Sequence, residues 1–316
     1  MVEGMIRLDA ATVLLQWATG GLFFLWVTTR EREVGIGYGW LLRASYLVIA
    51  LGAVATGALL EPVPVRDVSA ALVAVAAGAA LGVSVVRRKA GVAGERARRE
   101  RRVARVAAAT SVTTAAGRAD DALPPDIAAD TSVAAGGVGG DGPPGPEANR
   151  AEFPPSLDLV APLVGVVGLV AAGLAAGGPA PLAVVRTIAG AAFLGAVTDA
   201  MLLGHWYLVQ PGLGRAPLND LNRWLALVWP FEVGALLWPT GMLSVLSGSV
   251  DDGYGGILGW FWVACAGTTL ALTFVTRAAL KERAYSAVMA ATGLLYLAIL
   301  TAFGTDLVAR AVLAPG

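Results

Sequence analysis

Apolar stretches of about twenty residues recur along the whole sequence, and each is long enough to cross a hydrocarbon layer about 30 Å thick as a helix. Hydrophobic residues make up 56% of the chain and charged residues only 15%, whereas a soluble domain carries about 25% charged residues. Backbone polar groups in lipid must be satisfied internally, which favours helices over open sheets. We therefore predict an all-α, polytopic membrane helical bundle.

The apolar pattern predicts about eight transmembrane helices, each bounded by charged or turn-forming residues. The predicted spans are Ala10–Thr29, Trp40–Leu60, Val68–Val86, Leu157–Ala176, Leu182–Leu203, Leu221–Leu246, Ile257–Thr276 and Ala284–Gly304.

The distribution of charge orients these spans. Nine basic residues lie between Arg87 and Arg105, and positive residues favour the cytoplasmic side of a membrane. The third span should therefore end inside. Alternation then places the other basic connections inside and the acidic loop at Asp251 and Asp252 outside. This predicts a chain with both termini outside, N-out and C-out.

Three parts of the chain follow from the same pattern. Residues 1–86 form a three-helix membrane segment, and residues 156–316 form a five-helix membrane segment. Between them, residues 87–155 form a long cytoplasmic loop. Its first part is a basic helix that either extends the third span or lies on anionic lipid. Its second part is rich in Pro, Gly and Asp, which predicts a disordered linker.

The composition also limits the partners and cofactors. Net charge is zero, and no aromatic residues are interleaved with the basic run, so we expect no nucleic-acid partner. With a single cysteine and a single histidine, we predict no metal site, no disulfide and no covalent cofactor. Arginine is used almost to the exclusion of lysine and alanine is abundant, which suggests a bacterial protein, placed in the inner (cytoplasmic) membrane.

The single histidine, His205, lies at the end of the fifth predicted span, beside Trp206 and Tyr207. One interpretation is an interfacial aromatic belt. A second is a hydrogen-bond donor to a bound quinone, because imidazole titrates near neutral pH and the neighbouring rings can pack on a quinone head group. A third, metal or haem ligation, would need Asp199 or other oxygen ligands and is not the one that we predict. Gln210 and Arg215 follow in a turn, which either simply closes a helical hairpin or surrounds a polar head group.

Two acidic residues fall inside predicted spans, where charged groups are rare and commonly functional. Asp199 precedes His205 by six residues, so the two side chains do not share a helix face. Glu232 lies about ten residues into the sixth predicted span, and a carboxylate there must be paired, hydrated or protonated. Both are candidates for a proton relay.

The leading functional hypothesis is an integral subunit or accessory of a bacterial respiratory or other redox complex. In it, a quinone- or proton-handling site lies between the fifth and sixth helices, and the protein is a membrane subunit rather than a stand-alone enzyme. The first alternative is a proton-coupled transporter of a small solute that uses Glu232. The second is a non-catalytic scaffold, whose long loop recruits protein partners.

Overall fold

A computed structural model describes residues 9–31, 33–88, 153–177, 179–210, 213–238, 241–282 and 284–313. A short 3₁₀ turn, Pro155–Leu159, leads into the fourth helix. The helices are α1 Ala10–Thr29, α2 Ile36–Leu59, α3 Pro64–Val86, α4 Val160–Ala175, α5 Ala180–Val209, α6 Ala216–Leu237, α7 Met242–Leu246, α8 Ile257–Ala279 and α9 Tyr285–Leu313.

The structure confirms the predicted all-α membrane bundle. No strand occurs among the described residues, and seven of their helices are long and apolar enough to cross a membrane. The one predicted span outside those seven is the sixth, Leu221–Leu246, which is present as α6, a helix of 22 residues. The count of eight spans and the N-out, C-out orientation therefore stay predictions.

Helix α6 differs most from its predicted bounds. The sequence predicts a span from Leu221 to Leu246, but the helix begins at Ala216 and ends at Leu237. Trp238 has an extended backbone, with φ −101° and ψ 146°. It precedes Pro239, and a residue before proline is disfavoured in the helical region. As a result Glu232 lies five residues from the helix end, rather than in the middle of a span.

Helices α5 and α9 are longer than predicted. Helix α5 continues to Val209, so His205 lies within its last turns. Helix α9 continues nine residues past the predicted end at Gly304 and includes Asp306 and Arg310. Both charged residues are buried against other helices, which explains why their presence does not end the helix. Apolar periodicity alone places the boundary too early.

Helix α5 lies at the centre of the bundle, where it packs against α1, α4, α6 and α9. It crosses α1 at Gly20 and Gly195, and a Cβ atom at either position would overlap backbone atoms of the other helix. Small residues allow helix backbones to approach this closely, which strengthens van der Waals packing in lipid. The central helix is thus held by direct backbone contact.

Large apolar side chains also cover the outside of the bundle. Val75 on α3, Trp260 on α8 and Leu300 on α9 are each about 70% exposed. A soluble protein rarely exposes so many large apolar groups together. They face outward from helices of membrane-spanning length, which is the arrangement expected for a surface in contact with lipid.

Buried arginines fasten the helix ends to one another. Arg66, at the start of α3, donates to Glu61 O just after α2 at 2.5 Å and also pairs with Asp9 and Asp67. Arg43 of α2 makes two hydrogen bonds of 2.7 and 2.6 Å to Asp158. These ion pairs and hydrogen bonds hold the ends of neighbouring helices at fixed positions relative to one another.

The bundle has two ends. At the basic end, α1 is joined to α2, α5 to α6, and α8 to α9. At the acidic end lie the connection from α2 to α3 and the loop before α8. The first three helices pack with the later ones in one compact unit, Met1–Val85 and Pro154–Gly316. The basic helix and linker predicted in residues 87–155 lie almost wholly outside the described residues.

Candidate functional site

Arg186 is the first component of a buried polar site near the acidic end. It lies in the second turn of α5 and is only 2% exposed. Its Nε donates to Ala235 O at 2.7 Å and its Nη2 to Trp238 O at 2.9 Å, both at the end of α6. The last carbonyls of a helix have no intrahelical partner and carry partial negative charge. The arginine supplies the missing donors.

Glu232 lies one turn from that end of α6 and is completely buried. It interacts electrostatically with Asp306 and Arg310 of α9 and with Arg186 of α5. Neither carboxylate oxygen accepts a hydrogen bond from a donor group among the described residues, but the carboxyl group of Asp306 lies within hydrogen-bonding reach of Glu232. A buried ionised carboxylate without a donor is costly. A proton on Glu232 would lower this cost and supply a hydrogen for a bond between the two carboxyl groups.

Asp306 and Arg310 form an ion pair within α9. Arg310 Nε donates to both carboxylate oxygens at 2.9 Å, and the two side chains are 0% and 1% exposed. Gly190 of α5 lies opposite, and a Cβ atom there would come within 3 Å of Asp306, Arg310 and Gln16. The missing side chain at Gly190 gives these polar groups the space they occupy.

Gln16 completes the site from α1. Its Nε2 donates to Thr187 O of α5 at 2.6 Å. Its Oε1 and Arg310 Nη2 are both buried, and neither has a hydrogen-bond partner within the described ranges. Four helices thus bring an acid–arginine cluster together: Glu232, Asp306, Arg310 and Arg186, with Gln16 at its edge.

An apolar layer lies next to the acid–arginine cluster at the acidic end. The short helix α7 contributes Met242 and Val245, which pack with Leu236 of α6, Trp262 of α8 and Leu313 of α9. Met242 and Leu236 are fully buried. This layer separates the cluster from the acidic end and keeps its surroundings apolar.

The predicted relay residue Asp199 lies elsewhere. Thirteen residues separate it from Arg186 on the same helix, which is about 20 Å at 1.5 Å per residue. Its carboxylate accepts a hydrogen bond from Tyr46 of α2, and its main-chain oxygen accepts one from Tyr38 at 3.3 Å. Asp199 is therefore partnered by α2, and Glu232 by α5 and α9.

His205 lies on the outer surface of the bundle. Its Nδ1 is 3.4 Å from the hydroxyl of Tyr296 on α9, and the two rings meet edge to face with centroids 6.4 Å apart. The neighbouring side chains Leu208, Leu297 and Leu300 are 49–70% exposed. His205 therefore belongs to a polar pair on an otherwise apolar surface, away from both buried acids.

The remaining predicted site residues hold the loops at the basic end. Gln210 Oε1 accepts from Trp206 Nε1 at 3.0 Å and from the Gly35 amide at 2.9 Å. Tyr207 donates to Gly214 O at 2.5 Å. Arg215 Nη2 donates to Ala284 O at 3.0 Å, and its Nη1 donates to Glu282 O and to Leu280 O. These contacts connect three loops and the end of α8.

Sequence reasoning identified Glu232 but missed three residues around it: Asp306 and Arg310, which interact with it, and Gln16 at the edge of the cluster. Asp306 and Arg310 were left beyond the end of the eighth predicted span, although their spacing of four residues is that of a helical ion pair. That spacing is the signal that could have found them. Gln16 has no such signal, because a lone glutamine in an apolar run does not indicate its partner.

No three His, Cys, Asp or Glu side chains of the described residues lie close enough to form a metal site. No protein-family model matches the chain, and no match was found among curated proteins or solved structures. The geometry of the acid–arginine cluster is therefore the evidence from which a function is inferred.

Proposed function

We propose that this protein is a proton-coupled membrane transporter of a small solute, and that Glu232 binds the coupling proton. The main support is that Glu232 is fully buried beside a second acid, Asp306, while neither of its oxygens accepts a hydrogen bond from a donor group in the described part of the chain. Ionisable groups inside membrane helices commonly mark ion and proton pathways.

The position of the two arginines supports this proposal. Arg310 is paired with Asp306, and Arg186 donates to two main-chain carbonyls. Neither arginine forms a direct ion pair with Glu232, which leaves its charge only partly balanced. Adding or removing a proton at Glu232 therefore changes the electrostatic balance of the whole acid–arginine cluster.

Several helices meet at the acid–arginine cluster, which supports a coupling between protonation of Glu232 and movement of the helices. The cluster draws side chains from α1, α5, α6 and α9. A change of charge where these helices meet changes the relative free energies of different helix packings. A proton that binds one packing more tightly than another therefore shifts the equilibrium between them. We place the protein in the bacterial inner membrane, with the basic end of the bundle in the cytoplasm.

Proton movement into proteoliposomes tests the function. Vesicles that contain a trapped pH-sensitive dye are given an alkaline interior, and amino acids, sugars and small carboxylic acids are added in turn. We expect at least one solute to accelerate proton entry in the wild type. Glu232→Gln should abolish the acceleration, whereas Asp220→Asn, an exposed acid-to-amide change in the same helix, should retain it.

Equal proton entry in the wild type and in Glu232→Gln with every solute would contradict the proposal. A solute that is transported equally well with and without a pH gradient would contradict it too, because the coupling would then be absent.

The pair of His205 and Tyr296 favours a second candidate function, that of a quinone-interacting subunit of a respiratory or redox complex. An imidazole and a phenol that lie 3.4 Å apart on an apolar surface can donate hydrogen bonds to the carbonyl of a quinone head group. The exposed Leu297 and Leu300 offer a surface for its isoprenoid tail.

Quinone bound to the purified protein tests this candidate. We expect ubiquinone or menaquinone to be extracted from the wild type and to be lost in His205→Ala and Tyr296→Phe. Tyr254→Phe, which changes an exposed tyrosine in the loop at the acidic end, is the control. Equal quinone content in all four proteins would exclude the quinone function. The scaffold hypothesis depends on the segment 87–155, which lies almost wholly outside the described residues.

A further inference from the structure

Asp199 is a second buried acid that the acid–arginine cluster does not use. It is 0% exposed and lies about 20 Å along α5 from Arg186. No arginine or lysine forms an ion pair with it among the described residues. Its surroundings come from α1 and α2 instead of α6 and α9.

Two tyrosines of α2 define this second site. Tyr46 donates its hydroxyl hydrogen to Asp199 Oδ1, and Tyr38 donates to Asp199 O at 3.3 Å. Both tyrosines are at most 1% exposed. A third tyrosine, Tyr207, lies near Tyr38 on the side of the basic end. Tyr46 and Tyr38 are the titratable groups that interact with Asp199 among the described residues.

A glycine in α1 makes the contact between Tyr46 and Asp199 possible. The ring of Tyr46 occupies the space where a side chain of Gly21 would be, and a Cβ atom there would overlap the ring and its hydroxyl. The tyrosine therefore reaches across α1 to α5 through a gap in the helix surface. The absence of a side chain at Gly21 therefore allows the hydroxyl group of Tyr46 to reach the carboxylate of Asp199.

The second carboxylate oxygen, Asp199 Oδ2, is the informative atom. It is buried, and no hydrogen-bond partner for it exists in the described part of the structure. A protonated carboxyl group uses one oxygen to hold its proton and can still accept on the other. Here Oδ1 accepts from Tyr46, and Oδ2 is left for the proton.

We propose that Asp199, held by Tyr46 and Tyr38, is a second proton-binding site, which exchanges protons through the basic end of the bundle. The inference deepens the proposed function and rests on it. The proton comes from a hydronium ion: one O–H bond of that ion breaks, which leaves a water molecule, and one O–H bond forms at Asp199 Oδ2. The hydrogen bond from Tyr46 to Oδ1 persists.

The direction of exchange follows from the packing on the two sides of Asp199. Toward the acid–arginine cluster, Gly195 lies one turn away and its backbone touches Gly20 of α1. At this crossing the two backbones lie closer than any side chain would allow. Toward the basic end lie the hydroxyl groups of Tyr38 and Thr28. The α1–α5 crossing thus separates two proton sites on one helix.

Infrared spectroscopy of the full chain in lipid nanodiscs tests the second site. A protonated carboxyl group has a C=O stretching band that disappears on ionisation and shifts when its hydrogen bonds change. We expect a titrating band in the wild type that Asp199→Asn removes and that Tyr46→Phe shifts. Tyr285→Phe, a tyrosine at the basic end without contact to Asp199, should change nothing.

The outcome distinguishes this inference from the proposed function. The Asp199 band should survive in Glu232→Gln, so loss of proton coupling in that variant leaves the second site standing. A spectrum in which Tyr46→Phe shifts no carboxyl band would overturn the inference, even if Asp199→Asn does not fold. So would a spectrum in which a folded Asp199→Asn keeps every titrating band.

Discussion

At the scale of single residues, Arg186 contributes to the site in two ways. It supplies donors to the last carbonyls of α6, and it is the positive charge that α5 brings to Glu232. Arginine suits both roles, because its planar group presents several donors and stays charged. A lone arginine near the end of a membrane span commonly reaches toward the interface. In the structure Arg186 is buried instead. Its partners are main-chain carbonyls that lack an intrahelical donor because α6 ends beside it.

Replacing Arg186 with leucine should destabilise the bundle by about 1–3 kcal/mol for each helix-end carbonyl that loses its donor. Arg223→Leu, at a side chain that is 67% exposed, should change stability by no more than about 0.5 kcal/mol. Adding Glu232→Gln to Arg186→Leu should restore part of the loss. Unfolding in detergent with added denaturant measures five proteins: wild type, Arg186→Leu, Glu232→Gln, their double variant and the control Arg223→Leu. Simple additivity of the two changes would contradict the interaction between Arg186 and Glu232.

At the scale of helices and loops, Asp252 starts α8. Its carboxylate accepts from the amides of Gly256 at 2.8 Å, Tyr254 at 2.9 Å and Leu258 at 2.9 Å. The N–H of Gly256, followed by those of Tyr254 and Leu258, lowers the pKa of Asp252 below its ordinary value of 3.8. The ionised form is therefore the one that the folded loop favours.

The start of α8 should depend on pH in a direction set by that lowered pKa. The stabilisation is fully present above the ordinary pKa, and it is lost as the pH falls through the lower pKa of the folded state. At neutral pH, Asp252→Ala should speed hydrogen exchange in a peptide that spans 249–260. This difference from wild type should shrink below about pH 4.

Asp251→Ala is the matched control, because Asp251 accepts only from the amide of Gly253 among the contacts described. It should leave exchange at the start of α8 unchanged. A difference between Asp252→Ala and wild type that persists undiminished at low pH would mean that the carboxylate charge is not what stabilises the loop.

The crossing of α1 and α5 depends on the close approach of Gly20 and Gly195. Gly195→Ala should destabilise the protein by about 1–3 kcal/mol, because the new methyl group overlaps the backbone of Gly20. Gly293→Ala on α9, where a Cβ atom meets nothing within 4 Å, is the control. Thermal unfolding of the two variants in the same detergent compares them, and equal unfolding temperatures would show that the helices are not in backbone contact.

At the scale of the whole molecule, the sequence predicts the class of fold well because apolar length is a local property. Each helix of span length is visible in its own residues. The acid–arginine cluster is not local, since it needs residues from four helices at one depth. Glu232 is recognisable alone as a charge in an apolar run. Its neighbours depend on where α6 ends and how far α9 continues, and tertiary contacts set both.

Cysteine labelling tests the predicted orientation of the whole molecule. Cys265 is the only cysteine, so a Cys265→Ala background allows single cysteines to be placed at will. Ser249→Cys should react with a membrane-impermeant maleimide in intact cells. Glu282→Cys should react only after the cells are opened. The reverse pattern would contradict the N-out, C-out arrangement.

An infrared titration of the carboxyl groups in the full chain in lipid tests directly whether Glu232 exchanges a proton. We expect a titrating band of a protonated carboxyl group that is absent in Glu232→Gln and unchanged in Asp220→Asn. Thermal unfolding of the same samples confirms that each variant is folded. A folded Glu232→Gln protein whose titrating bands match those of wild type would contradict the claim that Glu232 exchanges a proton.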